Sequence, residues 1–204
     1  MTDAPPFTFL WQEQESPGLR IVRCCESLLA NGPISDKEQG GLYRYFVGCG
    51  DPKHAVKGGG DIGTIRTSCA VFAGAVLYWC GSPDREILRP GVAGWPMFGG
   101  WLGSLSKRHP AWVHWTGAEQ PEQGSLFFIE HPGTNNNHVG FLLRETEPGK
   151  WETAEGGGGD GTRCKISERV LTDFDNSTIY DFDPRLKRKL QGWFVPSRLG
   201  LVDT

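Results

Sequence analysis

Three residues of this 204-residue chain have the types and settings of a nucleophile, a general base and an orienting acid: Cys69, His138 and Glu155. A thiol attacks only as its thiolate. Its pKa falls beside an imidazolium, or at a helix N-terminus, where unpaired N–H groups and the helix dipole favour negative charge. Cys69 begins the apolar run that ends at Trp79, so it stands at the start of a helix and not inside one. Cys80, at the other end of that run, has the opposite environment and reads as structural. His138 follows the polar stretch Gly133-Thr-Asn-Asn-Asn137 and opens a strand. An imidazole there can take a thiol proton and return it to a leaving amine. Such a base needs a third group to fix its tautomer and orientation. Glu155, at the end of the following strand, fills that role, and Glu152, further from the strand end, is the weaker candidate. His131, ahead of Pro132, reads as a turn residue and is the reserve base. A cysteine at a helix start or a histidine among asparagines is ordinary by itself. The specific feature is their order: helix-start cysteine, strand with histidine, strand ending in an acid.

The elements that must position these residues are legible from periodicity. Residues 17–31 read as a helix, with Ser16 as N-cap and Pro17 at the first helical position. Ile21, Cys24, Cys25, Leu28 and Leu29 share its apolar face, and Asn31-Gly-Pro33 stops it. Residues 67–79 form a second helix, capped by Thr67 or Ser68, apolar on both sides and therefore buried nearly all round. Strands are predicted over 125–130, 138–145, 151–155, 162–167 and 192–196, with a glycine turn at 156–161. Helices first and antiparallel strands after imply an α+β fold. The length suits one domain, 1–204, with a core of about 17–200. Residues 35–60 are loop-rich. Residues 81–120 look like an insertion, irregular and rich in tryptophan, with a short helix near 98–107. They read as an aromatic satellite core, with one wall of a substrate groove as the functional alternative.

Composition narrows the function classes. A net charge of −3 gives no nucleic-acid footprint. The basic run Arg185, Lys187, Arg188 and Lys189 follows Asp173, Asp175, Asp181 and Asp183 and reads as a solvated face. Gly58-Gly-Gly60 lacks the lysine and hydroxyl of a phosphate-binding loop. The spacings Cys49–His54 and His109–His114 have no second pair to complete a zinc site, so no metal and no cofactor are expected. The longest apolar stretch, 70–80, is too short for a membrane span. The N-terminus lacks the basic and apolar regions of a secretory signal, so synthesis is expected in the cytoplasm, with release by lysis or export by a signal-independent route. The six cysteines are expected mostly as free thiols.

Four segments together resemble the CHAP and NlpC-type amidohydrolase/peptidase families. Thr67-Ser-Cys69-Ala-Val-Phe resembles their cysteine helix, and Pro121-Glu-Gln-Gly124-Ser-Leu their Pro-x-x-Gly-Asp-Leu strand opening. His138-Val-Gly-Phe-Leu142 resembles their His-Val-Gly-Ile-Val strand, and Ala154-Glu155-Gly156-Gly157 is similar to the Glu-Gly-Asn ending of CHAP domains. The resemblance spans about residues 60–170 in the right order, and departs from the pattern at Ser125 and Gly157. It implies a papain-like fold, with the nucleophile helix packed on an antiparallel sheet. It implies hydrolysis of amide bonds, most often in the stem peptides or crosslinks of bacterial peptidoglycan, as in a phage lysin or a secreted antibacterial effector. It carries the nucleophile to Cys69, the base to His138, the orienting acid to Glu155, and one oxyanion donor to the Cys69 backbone N–H. An inhibitor or immunity protein is a natural partner for such an enzyme. Two rivals use the same scaffold: a non-catalytic peptide- or glycan-binding module with an inert Cys69, and a glutamine deamidase or acyltransferase toxin with the same Cys–His pair and another groove.

Overall fold

The computed structural model describes residues 15–31, 72–73, 76–77, 79–82, 109–130, 138–158, 163–171 and 189–201. Cys69 and His131, the loop-rich segment 35–60 and the helix expected near 98–107 lie outside them. The described residues show α+β architecture: helix α1 (Pro17–Asn31) packed on an antiparallel sheet. The strands are β1 (Trp112–His114), β2 (Leu126–Glu130), β3 (His138–Glu147), β4 (Lys150–Gly158), β5 (Arg163–Val170) and β6 (Lys189–Phe194). They lie in the order β1-β6-β2-β3-β4-β5, so the C-terminal strand is inserted between the first two.

α1 begins as its sequence dictates. Ser16 Oγ accepts the Leu19 N–H at 3.2 Å, and the Ser16 carbonyl accepts the Arg20 N–H at 3.0 Å. One cap of this kind stabilises a helix by about 1 kcal/mol. The first turn then meets the turn before β2 backbone to backbone. A Cβ on Gly124, which has φ +82°, would lie 2.5 Å from the Gly18 carbonyl oxygen. The glycine of the Pro-x-x-Gly motif is thus needed both for its left-handed conformation and for the close approach of α1.

The sheet is covered on both faces, and alternation along each strand sorts the side chains. Leu126, Phe128, Val139, Phe141, Leu143, Ala154 and Phe194 point to one face, where they meet Ile21, Cys24 and Cys25 of α1. The helical residues Phe72, Ala73, Val76, Leu77 and Trp79 join the same core, and the Phe72 and Phe141 rings meet edge-on at 6.1 Å. Each such fully buried large side chain contributes roughly 1.5–3 kcal/mol. Cys24, Cys25 and Cys80 are buried free thiols, and Cys80 Sγ donates to the Arg20 carbonyl at 3.7 Å. The other face carries Phe127, Ile129, Leu142, Trp151, Leu190 and Trp193.

Two expectations need correction. Residues 112–114, expected within an irregular insertion, form an edge strand paired to β6 in the register Trp112↔Phe194 to His114↔Gly192. Trp112 lies edge-on to Phe194 at 5.1 Å, and Trp115 lies against Trp193 at 5.7 Å. This end of the tryptophan-rich stretch is partly buried and packs against the core, and its partner strand is some eighty residues distant and invisible to a local pattern. β4 and β5 also run further than expected, through Gly158 and Val170. Glu155 is therefore not at a strand end but inside β4, opposite Gly140 on one side and Lys165 on the other.

Candidate active site

His138 opens β3, and Glu155 in β4 lies directly opposite Gly140, two residues along β3 from His138. Because β3 and β4 alternate in phase, both side chains emerge on the face that also carries Phe127. There, His138 Nε2 lies 2.7 Å from Glu155 Oε2, with His138 4% exposed and Glu155 fully buried. Gly140 makes the approach possible. A Cβ at this position would lie 2.7 Å from the Ala154 carbonyl oxygen and 2.8 Å from both Glu155 Cγ and Phe127 Cε1. The third residue of the His-Val-Gly segment is thus a gap that two site side chains fill.

Glu155 has further partners. Arg169 Nε donates to Oε1 at 2.6 Å and Nη2 donates to Oε2 at 2.7 Å, a two-pronged pairing. Thr153 Oγ1 also donates to Oε1. Arg169 itself is 2% exposed and its guanidinium stacks 5.5 Å from the centre of the Phe127 ring. Burial by itself pushes a carboxyl pKa up, but the Arg169 charge, its hydrogen bonds and the His138 contact outweigh that, and Glu155 is held well below the ordinary carboxylate range. An ionised Glu155 can only accept, so the His138 nitrogen facing it, Nε2, carries its proton.

Glu152, the weaker orienting candidate, is excluded by alternation. It lies on the opposite face of β4 and pairs with Arg144 at 2.7 Å. His109 Nδ1 accepts the Ala111 N–H at 3.1 Å, and its ring packs on Phe194. Among the described residues no group of three or more His, Cys, Asp or Glu is placed to hold a metal ion. Nor is any helix among them long and apolar enough to cross a membrane.

The structure brings His138 and Glu155 together; Cys69 lies outside the described residues. Sequence reasoning missed Arg169 and Thr153. The strand holding Arg169 was expected to stop at Ser167. Had it been extended, the alternation Lys165, Ser167, Arg169 would have marked an arginine on the face of Glu155. The helical residues Phe72, Ala73, Val76, Leu77 and Trp79 pack on the face of the sheet opposite His138.

Compared with protein-family models, curated proteins and solved structures, the chain matches none of them.

Proposed function

We propose that this chain is a cysteine amidohydrolase or peptidase of the papain-like, CHAP/NlpC type. In it Cys69 is the nucleophile, His138 the general base and Glu155 the orienting acid. The observation that supports this most is the buried hydrogen bond between His138 Nε2 and Glu155 Oε2, 2.7 Å long and made by an ionised carboxylate. It defines one tautomer and one ring orientation, which a general base requires.

The Cys69 thiol gives its proton to His138 Nδ1 as the sulfur attacks the amide carbonyl. The tetrahedral oxyanion is held by backbone N–H groups, that of Cys69 among them. As the C–N bond breaks, Nδ1–H protonates the departing amine. Water, deprotonated by the same nitrogen, then cleaves the thioester and releases the acid. The substrate class suggested by the resemblance is the peptide of bacterial peptidoglycan, for a lysin or an antibacterial effector with a cognate inhibitor or immunity protein.

One observation favours a second possibility. His138, Glu155 and Arg169 are each less than a twentieth exposed, as in a purely structural polar tie. The scaffold would then be a non-catalytic binding module. The pH dependence of Cys69 alkylation by iodoacetamide, in wild type and His138→Ala, separates the two. A thiolate reactive below about pH 7, and lost in the variant, supports the enzyme; reaction only near the free-thiol pKa of about 8.5, in both, refutes it. Clearing of purified cell walls, against ammonia release from protein glutamine, then distinguishes a wall amidase from a deamidase toxin.

A further inference from the structure

We propose that Cys24 and Cys80 are an intramolecular disulfide site: two thiols that native packing brings together, and that join when the folding chain meets a small-molecule disulfide such as oxidised glutathione. The proposal does not depend on the hydrolase assignment.

The pairing is visible from both partners. Cys24 lies on the buried face of α1, and Cys80 closes the helical run that contains Val76 and Trp79. The Cys80 N–H donates to the Val76 carbonyl at 2.9 Å, and Gly81, at φ +78°, turns the chain after it. Cys80 Sγ donates to the Arg20 carbonyl at 3.7 Å. In an α-helix the carbonyl of residue 20 is the acceptor for the N–H of residue 24, so Cys80 Sγ sits against the turn that carries Cys24. The two thiols hydrogen-bond each other there. Both residues are 0% exposed and belong to one core. Cys25 is in the same core, but successive helical side chains diverge by about 100° around the axis. A sulfur seated on the turn from Arg20 to Cys24 therefore faces Cys24.

The bond forms by thiol–disulfide exchange. One protein thiolate attacks the reagent disulfide, forms a mixed disulfide and releases one reagent thiol. The second protein thiolate attacks the protein sulfur of that bond and releases the other. Two protons and two electrons thus leave the protein and appear in two molecules of reduced reagent. Fully buried thiols are shielded from such a reagent, so exchange takes place while α1 is undocked, during folding or local opening. Docking then seals the bond in the core. It ties α1 to a helical run more than fifty residues away, and closing a loop of that length restricts the unfolded chain. In a reducing compartment the same pair stays as packed thiols.

The test uses the full chain, reduced and unfolded, then refolded in a glutathione redox buffer. Remaining thiols are alkylated, and the chain is digested without reduction. Mass spectrometry should find two peptides joined, with fragment ions placing the bond at Cys24 and Cys80 and not at their peptide neighbours Cys25 and Cys69. The linked chain should melt on the order of ten degrees above the reduced chain, and Cys80→Ala should lose that difference. Free thiols at both positions, or another partner for either cysteine, overturns the proposal. So does a linked chain that melts no higher than the reduced one, because the bond would then strain the native packing. Should the chain not refold, the native protein held in the same buffer at subdenaturing urea should acquire the same link through local opening of α1. Its absence there overturns the proposal as well.

Discussion

Gly140 lies directly opposite Glu155 in the β3–β4 register, and a Cβ on it would approach Glu155 Cγ and the Phe127 ring edge to 2.8 Å each. The glycine sets the separation of the two strands' side chains at the point where His138 and Glu155 must meet. Gly140→Ala should therefore displace Glu155 or Phe127, cost about 1–3 kcal/mol by overpacking, and lower turnover more than stability. Urea unfolding alongside cell-wall clearing measures both. An alanine variant with wild-type stability and rate would show that the close approach is not needed.

His138→Ala should lower turnover by about 100- to 10,000-fold, the usual contribution of a general base. The stability loss should be modest, because Glu155 keeps both hydrogen bonds from Arg169. Activity within a few-fold of wild type would remove His138 from the mechanism.

Glu155→Gln should behave differently from a purely orienting change. Its rate loss should be smaller than that of His138→Ala, since orientation is only partly lost. Its stability loss should be larger, about 3–5 kcal/mol, because the buried Arg169 guanidinium loses the charged carboxylate that accepts from both its Nε and Nη2. Thermal unfolding of the two variants side by side tests the order.

Acid should weaken the fold through the same carboxylate. The Glu155 pKa is lower in the folded chain than the roughly 4.3 of an unfolded glutamate. Its contribution is therefore complete above that value and lost as pH falls towards the folded value. The urea midpoint of the wild type should drop steeply below about pH 4, and that of Glu155→Gln should drop less over the same range. Parallel acid limbs would contradict the assignment of Glu155 as the buried anion.

Cys24, Cys25 and Cys80 should resist iodoacetamide in the native chain and react once it unfolds. All three are fully buried, and burial, reinforced by the neighbouring Cys80, raises the Cys24 thiol well above its ordinary pKa. Peptide mapping after native alkylation checks this. Labelling of Cys24 in the folded protein would show that the face between α1 and the sheet opens readily.

The amino-acid sequence by itself determined the elements whose signals are local. α1 is bounded by its own Ser16, Pro17 and Asn31-Gly-Pro33, and its face Ile21, Cys24 and Cys25 is buried as the helical period requires. The His138 strand also follows from its own period-two alternation; Glu155 is preferred over Glu152 there for its nearness to a strand end, whereas the face each takes in β4 is what separates them. The tertiary structure alone decided how strands distant in sequence align. A stretch containing Gly156 to Gly159 does not specify where the next strand begins to pair, so no local pattern placed Arg169 against Glu155. The same holds for β1, which exists only because β6 returns to pair with it. Local periodicity specifies which face a side chain takes; register, set by burial across the whole sheet, specifies which charges meet there.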